Sequence, residues 1–266
     1  MHNAAFAALG LNWRYLAFEV DPNNLRAAIE GARAMQFAGL NLTVPHKLLA
    51  VDMVDELDVS ARKWGAVNTI QFQPGPDGKT RAIGFNTDAD GLTVSLRQDL
   101  QLELCGKKVL QLGVGGAGRT AALKLASENV AELFLVNRTV GKAEEMAAEI
   151  KRQFPSVNVT VGYPQDEVDL LLNATSLGLK PEDASPLDDG QFSLKQAAAV
   201  YDMIYQPAET KLLAAAKAAG CRAANGIGML VGQGAKAFEI WTGQAAPLNV
   251  MRRAVEECVY GGGLKS

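Results

Sequence analysis

Gly113-Val114-Gly115-Gly116-Ala117-Gly118 carries the spacing G-x-G-x-x-G. It follows an apolar run, Val109-Leu110-Gln111-Leu112, and leads into an alanine-rich segment of helical pattern, Arg119 to Ser127. In that setting the chemistry is anion binding. Glycines let the backbone turn tightly and approach a pyrophosphate, and a helix N-terminus offers N–H groups to its charge. The same spacing without its flanks would describe an ordinary strand-to-helix turn. The next apolar run, Leu133-Phe134-Leu135-Val136, ends in Asn137-Arg138-Thr139, with Lys142 close behind. An NAD site carries Asp or Glu at this place, roughly 20 residues on, for the ribose 2′-hydroxyl. No carboxylate stands here. A guanidinium can grip a 2′-phosphate through two hydrogen bonds and stack on adenine. Cations at a helix start do little for the helix itself. The predicted cofactor is therefore NADP(H), held by Gly113, Gly115, Gly116, Ala117, Asn137, Arg138, Thr139 and Lys142.

Other chemistry is sparse. Two histidines, His2 and His46, are too few for a histidine zinc site or a convincing triad, and the three cysteines stand singly, so no metal is predicted. Lys47 taken alone reads as a surface lysine after a strand, and Asp88 as a helix N-cap or first-turn acid. His46 is expected to be a bystander, pointing away from Lys47 in a strand-like segment. Trp64 and Phe85 read as core. Gly226 and Gly228 permit an unusual backbone before the helix that starts at Met229, consistent with close approach to a nicotinamide.

These residues need a frame. From Lys107 to Ala224, short apolar strands alternate with helices: the two runs above, then Val157 to Val161, Leu170-Leu171-Leu172 and Val200-Tyr201, with a helix at Lys142 to Gln153. That rhythm predicts a parallel sheet with helices on both faces, a Rossmann-like doubly wound domain. The first part predicts helices at Ala4 to Leu9 and Leu25 to Met35, and strands at Arg14 to Glu19 and Gly39 to Val44. A hairpin is predicted from Thr69–Gln73 to Thr80–Phe85 across Pro74-Gly75-Pro76-Asp77-Gly78. Two final helices, Met229 to Trp241 and Val250 to Tyr260, cannot form a domain alone and are expected to pack back on the first part. The predicted division is a discontinuous α/β substrate domain, 1–90 with 227–266, and an NADP-binding domain, 91–226. The ligand cleft is expected between the two lobes.

Composition fits this frame. In 266 residues, 48% hydrophobic and 21% charged side chains allow a sizeable core, and a net charge of -3 argues against a nucleic-acid binder. No apolar run is long enough to span a bilayer. Sparse single cysteines and the absence of a signal peptide point to reduced thiols in a cytoplasmic protein.

Several segments together resemble the shikimate dehydrogenase family. They are Asn41-Leu42-Thr43-Val44-Pro45-His46-Lys47, Gly65-Ala66-Val67-Asn68-Thr69, Gly84-Phe85-Asn86-Thr87-Asp88-Ala89-Asp90-Gly91, the glycine turn, and Asn137-Arg138-Thr139. Further on come Asn173-Ala174-Thr175-Ser176-Leu177-Gly178, Asp202-Met203-Ile204-Tyr205 with Pro207 and Thr210, and Asn225 to Gly234. They keep the family's order and cover nearly the whole chain.

The resemblance implies a two-lobed enzyme that reduces 3-dehydroshikimate to shikimate with NADPH in aromatic amino-acid biosynthesis. It implies Lys47 and Asp88 as the catalytic pair, and Thr43, Asn68, Tyr205 and Gln233 around the substrate. Thr175, Gly226 and Met229 would line the nicotinamide side. The implied partner is a small molecule, with no nucleic acid or membrane, and a homodimer is the assembly to test. One departure stands out. Family members begin with a strand and a loop whose two serines bind the substrate carboxylate, just before the equivalent of Met1-His2-Asn3. The sequence as written starts inside the first helix, so unpaired backbone and exposed apolar surface are expected there. Two alternatives follow: a quinate/shikimate dehydrogenase paralogue using NAD(P), and a non-catalytic NADP-binding sensor.

Overall fold

A computed structural model of the chain describes residues 1–43 and 45–261. The chain forms two compact units: Met1–Gly91 with Val231–Val255, and Leu92–Leu230 with the described part of Glu256–Ser266.

The first unit is built on a mixed four-stranded sheet. Its elements are α1 (His2–Ala8), α2 (Leu25–Ala34), β1 (Gly39–Asn41), α3 (His46–Leu49), β2 (Glu56–Leu57), α4 (Val59–Trp64), β3 (Thr69–Pro74) and β4 (Thr80–Phe85). The strand order is β1-β3-β4-β2; β3 and β4 form the antiparallel hairpin, and β2 joins β4 in parallel. Helix α2 buries Leu25, Ile29 and Ala32, a spacing of four and three that puts one apolar stripe on the sheet. That stripe shares a core with Ala61, Val67, Ile70, Phe72 and Ala82. The helix Ile227–Thr242 lends the sheet its C-terminal end: Trp241 Nε1 donates to the Ile70 carbonyl at 2.9 Å. A Cβ on Gly39 would run into that indole, which accounts for glycine there.

Two sequence expectations fail in this unit. Arg14 to Glu19 is not a strand. Strand structure needs a partner ladder, and among the described residues none pairs with it. Instead Asn3 serves Tyr15, accepting its N–H at 2.7 Å and donating to its carbonyl at 3.0 Å. The alternate side chains Leu16 and Phe18 are 65% and 63% exposed. The predicted strand Gly39 to Val44 stops at Asn41, and Val44 lies outside the described residues.

His2 is buried against the Tyr15 ring, centroids 4.4 Å apart, and neither ring nitrogen has a hydrogen-bond partner among the described residues. Burial, helped by the nearby amino terminus, lowers its pKa to about 4 from 6.5. In this range the unfolded chain binds the proton and the folded chain does not. Stability is therefore lost as pH falls from about 6.5 to about 4, by on the order of 3 kcal/mol. Melting temperature followed across that range should fall less steeply in His2→Phe than in the parent; identical slopes would remove His2 as the cause.

The second unit is a six-stranded parallel sheet. After α5 (Asp88–Leu100), which enters it, come β5 (Lys108–Leu112), α6 (Gly116–Ser127), β6 (Glu132–Val136), α7 (Val140–Gln153), β7 (Asn158–Val161), β8 (Leu170–Asn173), β9 (Ala199–Asp202), α8 (Lys211–Ala218) and β10 (Arg222–Asn225). The order is β10-β9-β8-β5-β6-β7. The chain runs outward through β6 and β7, then returns to the far side of β5. Right-handed crossovers then set the helices of the two halves on opposite faces. The point where the order reverses, between β5 and β8, is where doubly wound sheets bind ligands at their carboxyl ends. Leu110, Leu112, Leu171, Val200, Leu212 and Phe192 are among the residues of its core.

The remaining helices are α9 (Ile227–Thr242) and α10 (Leu248–Tyr260). The sequence placed all of 227–266 with the first unit. Contacts instead group Ile227–Leu230 and the described residues from Glu256 onward with the second. The physical reason is local bonding: Gly226 N–H donates to the Ile204 carbonyl, and the Tyr260 hydroxyl to the Tyr205 carbonyl. Residues 262–266 of that predicted domain lie outside the described residues. Among the described residues no helix is long and apolar enough to cross a membrane.

Candidate active site

In the first unit, Lys47 and Asp88 meet. Pro45 does not end a strand; it caps the short helix α3, and Lys47 is that helix's second residue. The Lys47 carbonyl is fixed by the Val67 N–H at 2.8 Å. Asp88 opens α5, and its N–H is held by Asn86, whose Oδ1 accepts it at 3.1 Å. Asp88 is thus the first-turn acid of the two alternatives, not the cap. Lys47 Nζ donates to Asp88 Oδ2 at 2.8 Å, with the two side chains 27% and 19% exposed. Asp88 Oδ1 accepts from Asn68 Nδ2 at 2.9 Å. Each carboxylate oxygen thus accepts one hydrogen bond, and two of the three ammonium protons remain for a ligand oxygen, since Nζ has no further partner among the described residues.

Asn68 is buried, and its amide cannot flip. Its Oδ1 accepts the Thr87 N–H at 2.9 Å and the Thr69 hydroxyl at 3.1 Å, so its NH₂ must face Asp88. Thr69 and Thr87 are positioning residues that sequence reasoning missed; Thr69 is the chain neighbour of Asn68, and Thr87 reaches it from 19 residues away. Thr43 is exposed, two residues before Pro45, and its carbonyl accepts the His46 N–H. Gln233 is half-buried on α9, also in this unit. Tyr205 belongs to the second unit and is 37% exposed. His46 sits beside Lys47 on a helix, so strand alternation is not what turns it away. Its Nε2 lies 2.9 Å from the Val20 carbonyl and its Nδ1 3.3 Å from that of Thr43, so it ties down its own loop. Trp64 is core as expected; Phe85 is only half-buried.

In the second unit the sheet register aligns Val136, Leu112, Asn173, Asp202 and Asn225 at the carboxyl ends of five strands. Polar side chains gather there. Gly113 turns at φ +91°, and a Cβ on Gly118 would strike the Gly113 carbonyl, so helix and turn pack backbone to backbone. Gly115 begins α6 with no side-chain cap, and a Cβ on Gly115 or Gly116 would meet open space. Asn137 Oδ1 accepts the Val114 N–H at 3.2 Å, and its Nδ2 donates to the Thr139 carbonyl at 2.9 Å. Arg138, Thr139 and Lys142 are exposed. Neither cation has an ion-pair partner among the described residues.

Thr175 is held by Asn173, whose Oδ1 accepts both its N–H and its hydroxyl. Asn173 is oriented in turn by Asp202, which accepts from its Nδ2 at 2.9 Å and from the Thr210 hydroxyl at 2.7 Å. Burial pushes the Asp202 carboxyl up, against those hydrogen bonds. Gly226 sits where a Cβ would hit the Met203 carbonyl. Asn225 Oδ1 accepts the Ile227 N–H at 3.1 Å and so starts α9, on whose first turn Met229 stands half-buried.

A parallel sheet with a glycine turn at its switch point, joined to a unit carrying a lysine–carboxylate pair, defines a two-unit α/β oxidoreductase. Family models agree. Residues 1–70 match the shikimate dehydrogenase substrate binding domain, 95–177 match shikimate / quinate 5-dehydrogenase, and 226–256 match the shikimate 5′-dehydrogenase C-terminal domain. A shikimate dehydrogenase (NADP(+)) of Methanopyrus kandleri is 43% identical over 265 residues, covering 97% of this chain and 89% of that protein. A solved shikimate dehydrogenase in complex with NADP+ superposes with a TM-score of 0.86 at 39% identity, over 97% of this chain and 89% of the other. The ligand-free 5-ketofructose reductase of Gluconobacter sp. strain CHM43 gives 0.84 at 36% identity, over 96% and 91%. The chain belongs to the shikimate dehydrogenase family.

Proposed function

We propose that this chain is an NADPH-dependent shikimate dehydrogenase, catalysing the reversible reduction of 3-dehydroshikimate to shikimate. The observation that carries the reading is the Lys47–Asp88–Asn68 arrangement, an ammonium held by a positioned carboxylate and left with donors to spare. NADPH, when bound, supplies the hydride. Lys47 donates a hydrogen bond to the ketone oxygen, stabilises the negative charge that develops there, and delivers the proton that completes the hydroxyl. Asp88 keeps the ammonium aimed through a charge-assisted hydrogen bond. Thr43, Asn68, Gln233 and Tyr205 hold the ring substituents.

The second unit fits a dinucleotide. The open space over Gly115 and Gly116 admits a pyrophosphate to the uncapped start of α6. Arg138 and Lys142, both exposed, take the 2′-phosphate, with Asn137 and Thr139 shaping their loop. Gly113 and Ala117 complete the turn; Thr175, Gly226 and Met229 border the nicotinamide. The substrate domain of this reading is built on the first unit, Met1–Gly91 with Val231–Val255, and the cofactor domain on the second. Three free thiols, Cys105, Cys221 and Cys258, support a cytoplasmic setting.

Initial rates of shikimate and quinate oxidation, each with NADP+ and NAD+, test the assignment. Shikimate with NADP+ should give the largest kcat/KM of the four pairs. A clear preference for quinate or for NAD+ would replace it with the quinate-type activity that the matched family model also covers.

A further inference from the structure

Gln111 is out of place by composition. It is the fourth residue of β5, lies between Leu110 and Leu112, and is 0% exposed. A buried amide is costly unless its hydrogen bonds are made. Both protons of its Nε2 are used, one on the Gly113 carbonyl at 2.8 Å and one on the Gly118 carbonyl at 2.7 Å. Its Oε1 is buried with no partner among the described residues. A residue kept only to fill the core would be better replaced by an apolar side chain of the same size, since that orphan oxygen would vanish.

The two bonds fall on the anion-binding turn. The peptide plane between Gly113 and Val114 is gripped at both ends: Gln111 takes its carbonyl, and Asn137 Oδ1 takes its N–H at 3.2 Å. Asn137 also donates to the Thr139 carbonyl, so the same plane is linked to the segment that carries Arg138. The second Gln111 bond draws the first turn of α6 toward that plane, at the place where Gly118 leaves no room for a Cβ. With the carbonyls of Gly113 and Gly118 drawn inward, the start of α6 is held in one orientation toward solvent.

We propose that Gln111 is a positioning residue for the dinucleotide: it fixes the glycine turn from beneath and so sets affinity for the pyrophosphate. This rests on the reading of the turn as an NADP(H) site. Because the pyrophosphate is common to both nicotinamide dinucleotides, the effect differs in kind from that of Arg138.

Gln111→Met keeps an unbranched side chain of similar length and removes the donors. Dissociation constants for NADPH and NADH, measured by fluorescence titration, should both rise by about 30-fold, the worth of two ordinary hydrogen bonds. KM for shikimate should stay the same, and the melting temperature of the ligand-free protein should not fall. Gln111→Leu gives a second reading of the same effect should the methionine variant fold poorly. Unchanged dissociation constants in a variant whose parent binds NADPH would overturn the proposal. So would a lowered melting temperature with equal losses in every kinetic constant, the pattern of a plain core defect. A parent that binds neither dinucleotide would overturn the reading of the turn itself, and this proposal with it.

Discussion

Lys47→Ala lowers kcat for shikimate oxidation by about 10²–10⁴-fold, the range of a positioned acid–base group, while KM changes far less. The reasoning starts from the hydrogen-bond inventory. The Lys47 ammonium spends one proton on Asp88, and that carboxylate's other oxygen is held by Asn68. Ground-state shikimate offers only a neutral hydroxyl to the remaining donors, so the lysine contributes modestly to binding. Seen in the reduction direction, negative charge develops on that oxygen as hydride arrives at carbon, and there its interaction with the ammonium is strongest; oxidation passes through the same transition state, which places the loss in kcat. Lys47→Arg should not restore the rate, because a guanidinium does not give up a proton in this range. Steady-state kinetics of both variants give the answer; a rise in KM with kcat preserved would make Lys47 a binding residue only.

Arg138→Ala weakens NADPH and spares NADH. The 2′-phosphate is the only group that distinguishes the two, and Arg138 stands exposed at the end of β6 with no ion-pair partner among the described residues to be left unpaired. Loss of one charge-assisted interaction corresponds to an increase of about 10- to 150-fold in the NADPH dissociation constant. Lys142 is two residues into α7 and keeps part of the attraction, so the double variant should lose more than either single one. Titration of both dinucleotides into parent and variants checks this. Equal weakening of NADPH and NADH would move Arg138 from phosphate recognition to general shaping of the loop.

The nucleotide-binding unit was the more legible half. Its inner strands β5, β8 and β9 are buried on both faces, so each reads as an apolar run whatever its neighbours do, and the glycine spacing falls where β5 hands over to α6. The short strand β10 was not read, because Arg222-Ala223-Ala224-Asn225 lacks such a run and is a strand only through its ladder with β9. Arg14 to Glu19 failed for the converse reason: alternation suits a strand, but pairing makes one. The strand expected over Gly39 to Val44 ends early, and Pro45 just beyond it caps the turn of helix that carries Lys47. The hold of Thr87 on Asn68, 19 residues apart, and of Asp202 on Asn173, 29 apart, join segments whose contact no local spacing reveals. Gln111 did leave a signal, a single amide inside an apolar run bordering a glycine turn.

A crystal structure of the protein with shikimate bound addresses the central claim most directly. The ring hydroxyl that is oxidised should lie about 3 Å from Lys47 Nζ, within hydrogen-bond reach, with Asp88 still on the far side of the ammonium. Shikimate seated away from this pair, or turned so that no hydroxyl reaches Nζ, would contradict the account.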